Sequence, residues 1–200
     1  MKKILVIVDP QYDFLDPRGS LYVKNDNLTQ AINKYVFEND FDEVIITLDS
    51  HPANHCSFST QGGQFPVHCV MGSLGASYDD FIKEIVLKKS AQIIEKGQFV
   101  DTEEFGAFGD GDDFDDYTPV DTSWRDVKVY VCGVAGDYCV KETIRNIINT
   151  SYLVDPDHIV VLKDLIASID DGSTLNKFIG ENNLPIAKVF KGNDITIYYK

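Results

Sequence analysis

Asp9, Asp49, His51, Lys96 and Cys139 lie just past points where runs of aliphatic and β-branched residues stop. Cys139 opens a stretch of helical periodicity after the turn Gly133-Val134-Ala135-Gly136. At a helix start, unpaired N–H groups and the positive dipole end favour thiolate over thiol. The same N–H groups can receive the oxyanion of a tetrahedral intermediate. Asp9, at a strand end, would take the thiol proton and later return it to a leaving group. Lys96 would hold that pair in its charged form. Asp49 and His51, at i and i+2 of an extended segment, point to one side, and His55 and His68 place two more imidazoles in the same loop. Two histidines and a carboxylate make a facial set for zinc, iron or manganese that keeps open positions. A donor set without thiolates suits a site that handles substrate rather than a closed structural zinc.

Each residue also has an ordinary role. An aspartate before Pro10 suits a turn, a lone lysine is mostly exposed, and loop histidines often hydrogen-bond backbone. A free cysteine is usually a small buried apolar residue; Cys132, inside a strand, and Cys56 and Cys69 in the loop are read that way. The joint placement of the five residues carries the chemical reading.

The elements that must position them are short and alternate. Residues 2–8, 43–48, 91–95, 127–132 and 158–162 are continuously apolar runs, as expected of strands buried on both faces of a parallel sheet. Helical periodicity falls over 28–37, 78–87, 138–149 and 174–181, with Asn27 and Ser173 near two of the starts. The pattern predicts an α/β fold: a three-layer α-β-α sandwich around a mostly parallel, doubly wound sheet. Ligands of such sheets bind beyond the carboxyl ends of the strands, which is where the five residues would gather. With no repeat and no linker, residues 1–200 read as a single domain.

Two stretches break the alternation. Residues 51–76 form a loop rich in His, Gly, Pro and Ser, longer than a plain connector needs. Residues 101–121 hold nine acids and no base, a block expected to be a solvated excursion. Asp110, Asp112 and Asp115 approach an EF-hand spacing, but Phe114 and Asp115 stand where a ligand and the glycine belong.

The chain has 200 residues, 44% apolar and 25% charged, enough for a sizeable core. That excludes a disordered chain or a disulfide-stapled miniprotein. Thirty-two acids against 18 bases give a net charge of −14, which repels phosphate backbones and anionic lipids and so argues against nucleic-acid or membrane partners. A neutral small molecule meets no such barrier. The first apolar run stops at Asp9, short of a signal-peptide core of ~7–15 residues, and no run reaches the roughly 18–20 residues that span a bilayer. The four cysteines form no C-x-x-C pair, so free thiols in the cytoplasm are expected.

Taken in order, Val8-Asp9-Pro10-Gln11-Tyr12-Asp13-Phe14, Thr47-Leu48-Asp49-Ser50-His51-Pro52-Ala53-Asn54-His55, Phe65-Pro66-Val67-His68-Cys69, Glu95-Lys96-Gly97 and Gly133-Val134-Ala135-Gly136-Asp137-Tyr138-Cys139-Val140 span nearly the whole chain. This series resembles the nicotinamidase (pyrazinamidase) branch of the isochorismatase-like cysteine hydrolases. The resemblance implies a triad of Cys139, Asp9 and Lys96, and metal ligands Asp49, His51 and His68, with His55 as a further ligand or a supporting group. It also implies a cis peptide at Val134–Ala135, oxyanion donors at the N–H groups of Ala135 and Cys139, and a substrate site at Phe14, Phe65 and Val134. Many relatives carry Trp where Phe65 stands, and Thr where Gly136 stands. The implied activity is hydrolysis of nicotinamide to nicotinate and ammonia in NAD salvage, with one divalent metal, zinc ahead of iron or manganese. Homo-oligomerisation stays open. Alternatives are a related hydrolase of another small amide or carbamoyl compound, and a non-catalytic binding protein of the same fold.

Overall fold

The computed structural model describes residues 1–109, 124, 126–150, 154–189 and 195–198. Its centre is a seven-stranded sheet in the order β3-β2-β1-β4-β5-β6-β7. The strands are β1 (Lys2–Val8), β2 (Glu43–Asp49), β3 (Gln92–Lys96), β4 (Val127–Val134), β5 (Ile159–Ala167), β6 (Ile186–Val189) and β7 (Ile195–Tyr198). Every neighbouring pair is parallel except β6–β7. The expected α/β class and mostly parallel sheet are what the chain adopts.

The aliphatic runs form strands because both of their faces are covered. Along β1, Ile4, Val6 and Val8 enter one apolar layer while Leu5 and Ile7 enter the other, the period of two that a pleated strand dictates. The first layer receives Ile144 and Ile147 of α4 (Lys141–Thr150) and Leu175, Phe178 and Ile179 of α5 (Ser173–Glu181). The second receives Ile32, Tyr35 and Val36 of α2 (Leu28–Glu38) and Ile82 and Ile85 of α3 (Asp80–Lys89). A single-turn α1 (Tyr12–Leu15) follows β1. No helix among the described residues is long and apolar enough to cross a membrane.

The chain winds outward from β1 toward β3 on one side, and from β4 toward β6 on the other. The order therefore reverses between β1 and β4, and the crevice of an open α/β sheet opens there. Val8 pairs with both Thr47 and Gly133, so Asp9 and the turn after β4 emerge side by side at that point.

Some elements differ from expectation. The segment expected as one helix from 138 begins as a π-helical turn, Gly136–Val140, and becomes α-helical at Lys141. β5 runs on to Ala167, past Lys163 and Asp164, which are exposed in the middle of the strand. β6 and β7 were not expected; each is four residues long, too short for a periodic signal. Asn27 makes no side-chain cap on α2, where Asn25 Oδ1 instead accepts the Leu28 N–H at 3.3 Å. Ser173 is the first residue of α5 and Gly172 its cap, with Asp170 Oδ2 accepting the Thr174 N–H at 3.0 Å. Most of the acidic stretch, including the EF-hand-like positions 110–115, lies outside the described residues.

Candidate active site

Three strand ends deliver charge to one buried point, and the turn after β4 adds a sulfur. Asp9 leaves β1 with φ 46°, a left-handed backbone that Asp tolerates better than most residues. Its Oδ1 accepts the Thr47 hydroxyl at 2.7 Å, and its Oδ2 lies 2.9 Å from Lys96 Nζ. Lys96, the last residue of β3, is only 5% exposed and also donates to Asp49 Oδ1. Asp49 and Lys96 are register partners, so the pairing of β2 with β3 makes the ion pair. The isolated-lysine expectation of exposure fails here because two carboxylates hold the ammonium below the surface.

These contacts set the protonation states. Burial dominates at Asp9 and raises its affinity for a proton, with Lys96 opposing. At Asp49 the Lys96 ammonium and the His51 ring overcome burial and hold the carboxyl below the usual range. The two carboxylates in turn overcome burial at Lys96 and raise it well above an ordinary lysine.

Cys139 sits inside the π-helical turn, 6% exposed. Its Sγ, one Asp9 oxygen and one Asp49 oxygen all lie within 4.8 Å of one another. Burial pushes this thiol well above its ordinary value, and the pull of Lys96 does not cancel the push of burial and the two aspartates. The helix start therefore does not by itself favour thiolate here, because burial and the two aspartates push the other way. The Val134–Ala135 peptide is cis. The Ala135 carbonyl accepts the N–H groups of Tyr138 and Val140 at 3.1 and 3.0 Å; neither bond uses the Cys139 N–H.

Next to this cluster, Asp49, His51 and His68 bring one donor atom each within 4.8 Å of the others. His51 Nδ1 bonds the Gly97 carbonyl and His68 Nδ1 the Pro66 carbonyl, both at 2.8 Å. Since a carbonyl only accepts, each Nδ1 carries a proton, and the neutral ring then keeps its Nε2 lone pair, the tautomer a metal ligand needs; the Asp49 carboxylate, 3.5 Å from His51 Nε2, raises that ring's proton affinity. The two carboxylates and one ammonium leave a buried net charge of −1, which a divalent cation on these donors would offset. The donor set fits such an ion. Of the two roles expected for His55, ligand or supporting group, its contacts are those of the second. Its Nε2 donates to the Thr102 carbonyl at 3.0 Å and its Nδ1 pairs with Ser57 Oγ at 2.8 Å, so both nitrogens are engaged. Its ring stacks on His51 at 4.2 Å. Phe58, fully buried, stands edge-on to all three histidine rings at 5.4 to 5.7 Å.

Phe14, Phe65, His68, Ala135 and Cys139 line a small pocket together with Phe105 and Tyr138. Phe65, Phe105 and Tyr138 touch pairwise at centroid distances of 5.5 to 6.0 Å. Val134, also expected at the substrate site, does not line this pocket; it is fully buried and packs in the layer that holds α2 and α3. A Cβ at Gly136 would lie 2.2 Å from Ser168 Oγ and 2.9 Å from Ile166 Cγ2, so a larger residue there requires these side chains to move.

Several site residues carried no individual signal in the sequence. Glu103 lines the pocket, its carboxyl raised by burial and by Asp49. Thr47 and Gln11 are fully buried against Asp9 and Asp49. The strand-end rule locates groups that begin a loop, and misses those that act from deeper in a loop or, like Thr47, from within a strand.

A thiol, a carboxylate and an ammonium at the switch point of a doubly wound sheet, beside oriented N/O donors, define a cysteine-dependent hydrolase site. The chain belongs to the isochorismatase domain family, which it matches over residues 3–179. It is similar to the nicotinamidase of Saccharomyces cerevisiae, 33% identical over 205 residues covering 88% of this chain and 93% of the relative. Among solved structures it resembles PnC1 from L. infantum in complex with nicotinate (32% identity, TM-score 0.77, covering 94% of this chain and 92% of the other). It also resembles the pyrazinamidase of Pyrococcus horikoshii in complex with zinc (28% identity, TM-score 0.72, covering 94% and 100%).

Proposed function

We propose that this chain is a metal-dependent cysteine amidohydrolase, a single-domain cytoplasmic enzyme that converts nicotinamide to nicotinate and ammonia in NAD salvage. The carrying observation is that the Cys139 Sγ and the Asp9 and Asp49 oxygens share one buried point, with Lys96 against both carboxylates. The nicotinamidase relative and the nicotinate-bound neighbour support the substrate, as do the aromatic walls of the pocket.

Asp9 removes the Cys139 proton as the sulfur attacks the carboxamide carbon. Its raised proton affinity suits it to that exchange, since the transfer is easiest when donor and acceptor are matched. Negative charge moves from sulfur to the carbonyl oxygen, where the N–H groups of Ala135 and Cys139 receive it; each such donor is worth ~10²–10³ in rate. Collapse of the tetrahedral adduct breaks the C–N bond, and ammonia leaves with the proton held by Asp9. The same carboxylate then deprotonates water, which cleaves the thioester to nicotinate and restores the thiol. Lys96 stays protonated throughout and keeps Asp9 and Asp49 apart. Phe14 and Phe65 flank the substrate ring. Asp49, His51 and His68 would hold one divalent ion, zinc ahead of iron or manganese, and this ion would supply a Lewis-acid docking point for the pyridine nitrogen.

Ammonia release from a panel of amides tests the reading. Nicotinamide and pyrazinamide should be hydrolysed and aliphatic amides or carbamoyl compounds should not; a preference for the latter removes the ring-docking role.

A further inference from the structure

Where β1 and β2 stop pairing, a side chain takes over from the backbone. A continued parallel ladder would send the Asp49 N–H to the Asp9 carbonyl and the Gln11 N–H to the Asp49 carbonyl. Asp9 turns into the left-handed region instead, and the Gln11 N–H bonds the Asp9 carbonyl at 2.7 Å. The Gln11 carboxamide fills the vacated positions: Oε1 accepts the Asp49 N–H at 2.7 Å, and Nε2 donates to the Asp49 carbonyl at 2.7 Å and to the Ala76 carbonyl at 3.0 Å. Gln11 is fully buried, so these groups have no water to fall back on.

Two residues on, Asp13 does the same for the other side of the donor set. Its Oδ2 accepts the Cys69 N–H at 2.7 Å and its Oδ1 the Ser20 N–H at 3.0 Å. Cys69 follows His68 directly, has φ 44°, and gives its carbonyl to the His51 N–H at 3.0 Å. Gly75 leaves the space for this carboxylate, since a Cβ there would lie 1.9 Å from Asp13 Oδ2.

We infer that Gln11 and Asp13 are positioning residues that set the spacing of Asp49, His51 and His68, and so tie metal affinity to the segment that carries the base Asp9. The inference rests on the reading of those three residues as a metal centre. Partners behind metal ligands typically alter affinity by about 10–100-fold when changed. Zinc affinity of the metal-free protein, measured by competition with a chromophoric chelator, should fall by that factor in Gln11→Leu, Gln11→Glu and Asp13→Asn. Excess zinc should restore amide hydrolysis in Gln11→Glu. Asp13→Asn preserves shape without adding a buried charge, so the inference stays testable if the Gln11 variants do not fold. Zinc affinities within about twofold of wild type, with only the metal-free melting temperature lowered, would show a purely structural role and overturn the inference. Failure of the wild type itself to bind one zinc would instead overturn the metal-centre reading, and the inference with it.

Discussion

The Lys96 ammonium lies between two carboxylates that have almost no access to water, at 0% and 5% exposure. Replacing it by methionine would leave both acids buried without a cation, and uncompensated buried charge of this kind costs about 3–5 kcal/mol. The pH dependence gives the sign. In Lys96→Met, burial raises both carboxyls above their unfolded values, so the native state binds more protons than the unfolded one and stability falls as pH rises. Urea denaturation should show the variant strongly destabilised at pH 7.5 and partly recovered at pH 5. In the wild type, Asp49 is held low; its contribution is present above the unfolded carboxyl value and is lost only as pH falls below that value. Activity should disappear in Lys96→Met at every pH, because Asp9 loses the partner that keeps it a usable base. At this scale the residues at strand ends were legible in the sequence, since each follows an apolar run. The state of Cys139 was not legible, because it depends on desolvation by neighbours far away in the chain.

Among the elements, the turn from β3 into the following loop shows how backbone and ligand geometry depend on each other. Gly97 has φ +68°, and a Cβ there would lie 2.5 Å from His51 Cε1. Its carbonyl is also the acceptor that fixes the His51 tautomer. Gly97→Ala should therefore push the imidazole off its position and add backbone strain of about 1 kcal/mol. We expect zinc affinity to fall at least ~10-fold, with a melting temperature lower by a few degrees, measured by chelator competition and thermal denaturation. β1, β2 and β4 were legible because burial on both faces leaves few polar positions to blur the pattern; β3, at the sheet edge with Gln92, Ile93 and Glu95 exposed, showed only a short apolar pair. β6 and β7 were not legible, being four-residue segments whose pairing comes from tertiary contact, with β7 at the sheet edge. His55 was ambiguous for a related reason. Residue type and loop membership suggest a ligand, whereas the Thr102 and Ser57 bonds that occupy its nitrogens involve a segment 47 residues away and a hydroxyl two residues on.

Across the whole molecule, two apolar layers hold the sheet while the donor set lies on the loops beyond it. Stability of the fold and occupancy of the metal centre are thus separable. Chelation should abolish amide hydrolysis while leaving the far-UV circular dichroism unchanged, and added zinc should restore turnover; loss of helical signal on chelation would mean the ion holds up the core. The net charge of −14 acts on charged partners and leaves a neutral amide unsteered. Raising salt from ~50 to ~500 mM should then change kcat/KM by less than about twofold. The fold class was legible because strand and helix patterns alternate along the chain, and the carboxyl-end rule then collects the site without coordinates.

The most direct measurement pairs metal content with ammonia release in wild type and Cys139→Ala. One divalent ion per chain in both proteins, with ammonia produced from nicotinamide by the wild type alone, is the predicted result. A metal-loaded wild type that releases no ammonia, or a Cys139→Ala protein that still does, would contradict a sulfur nucleophile served by Asp9 and Lys96.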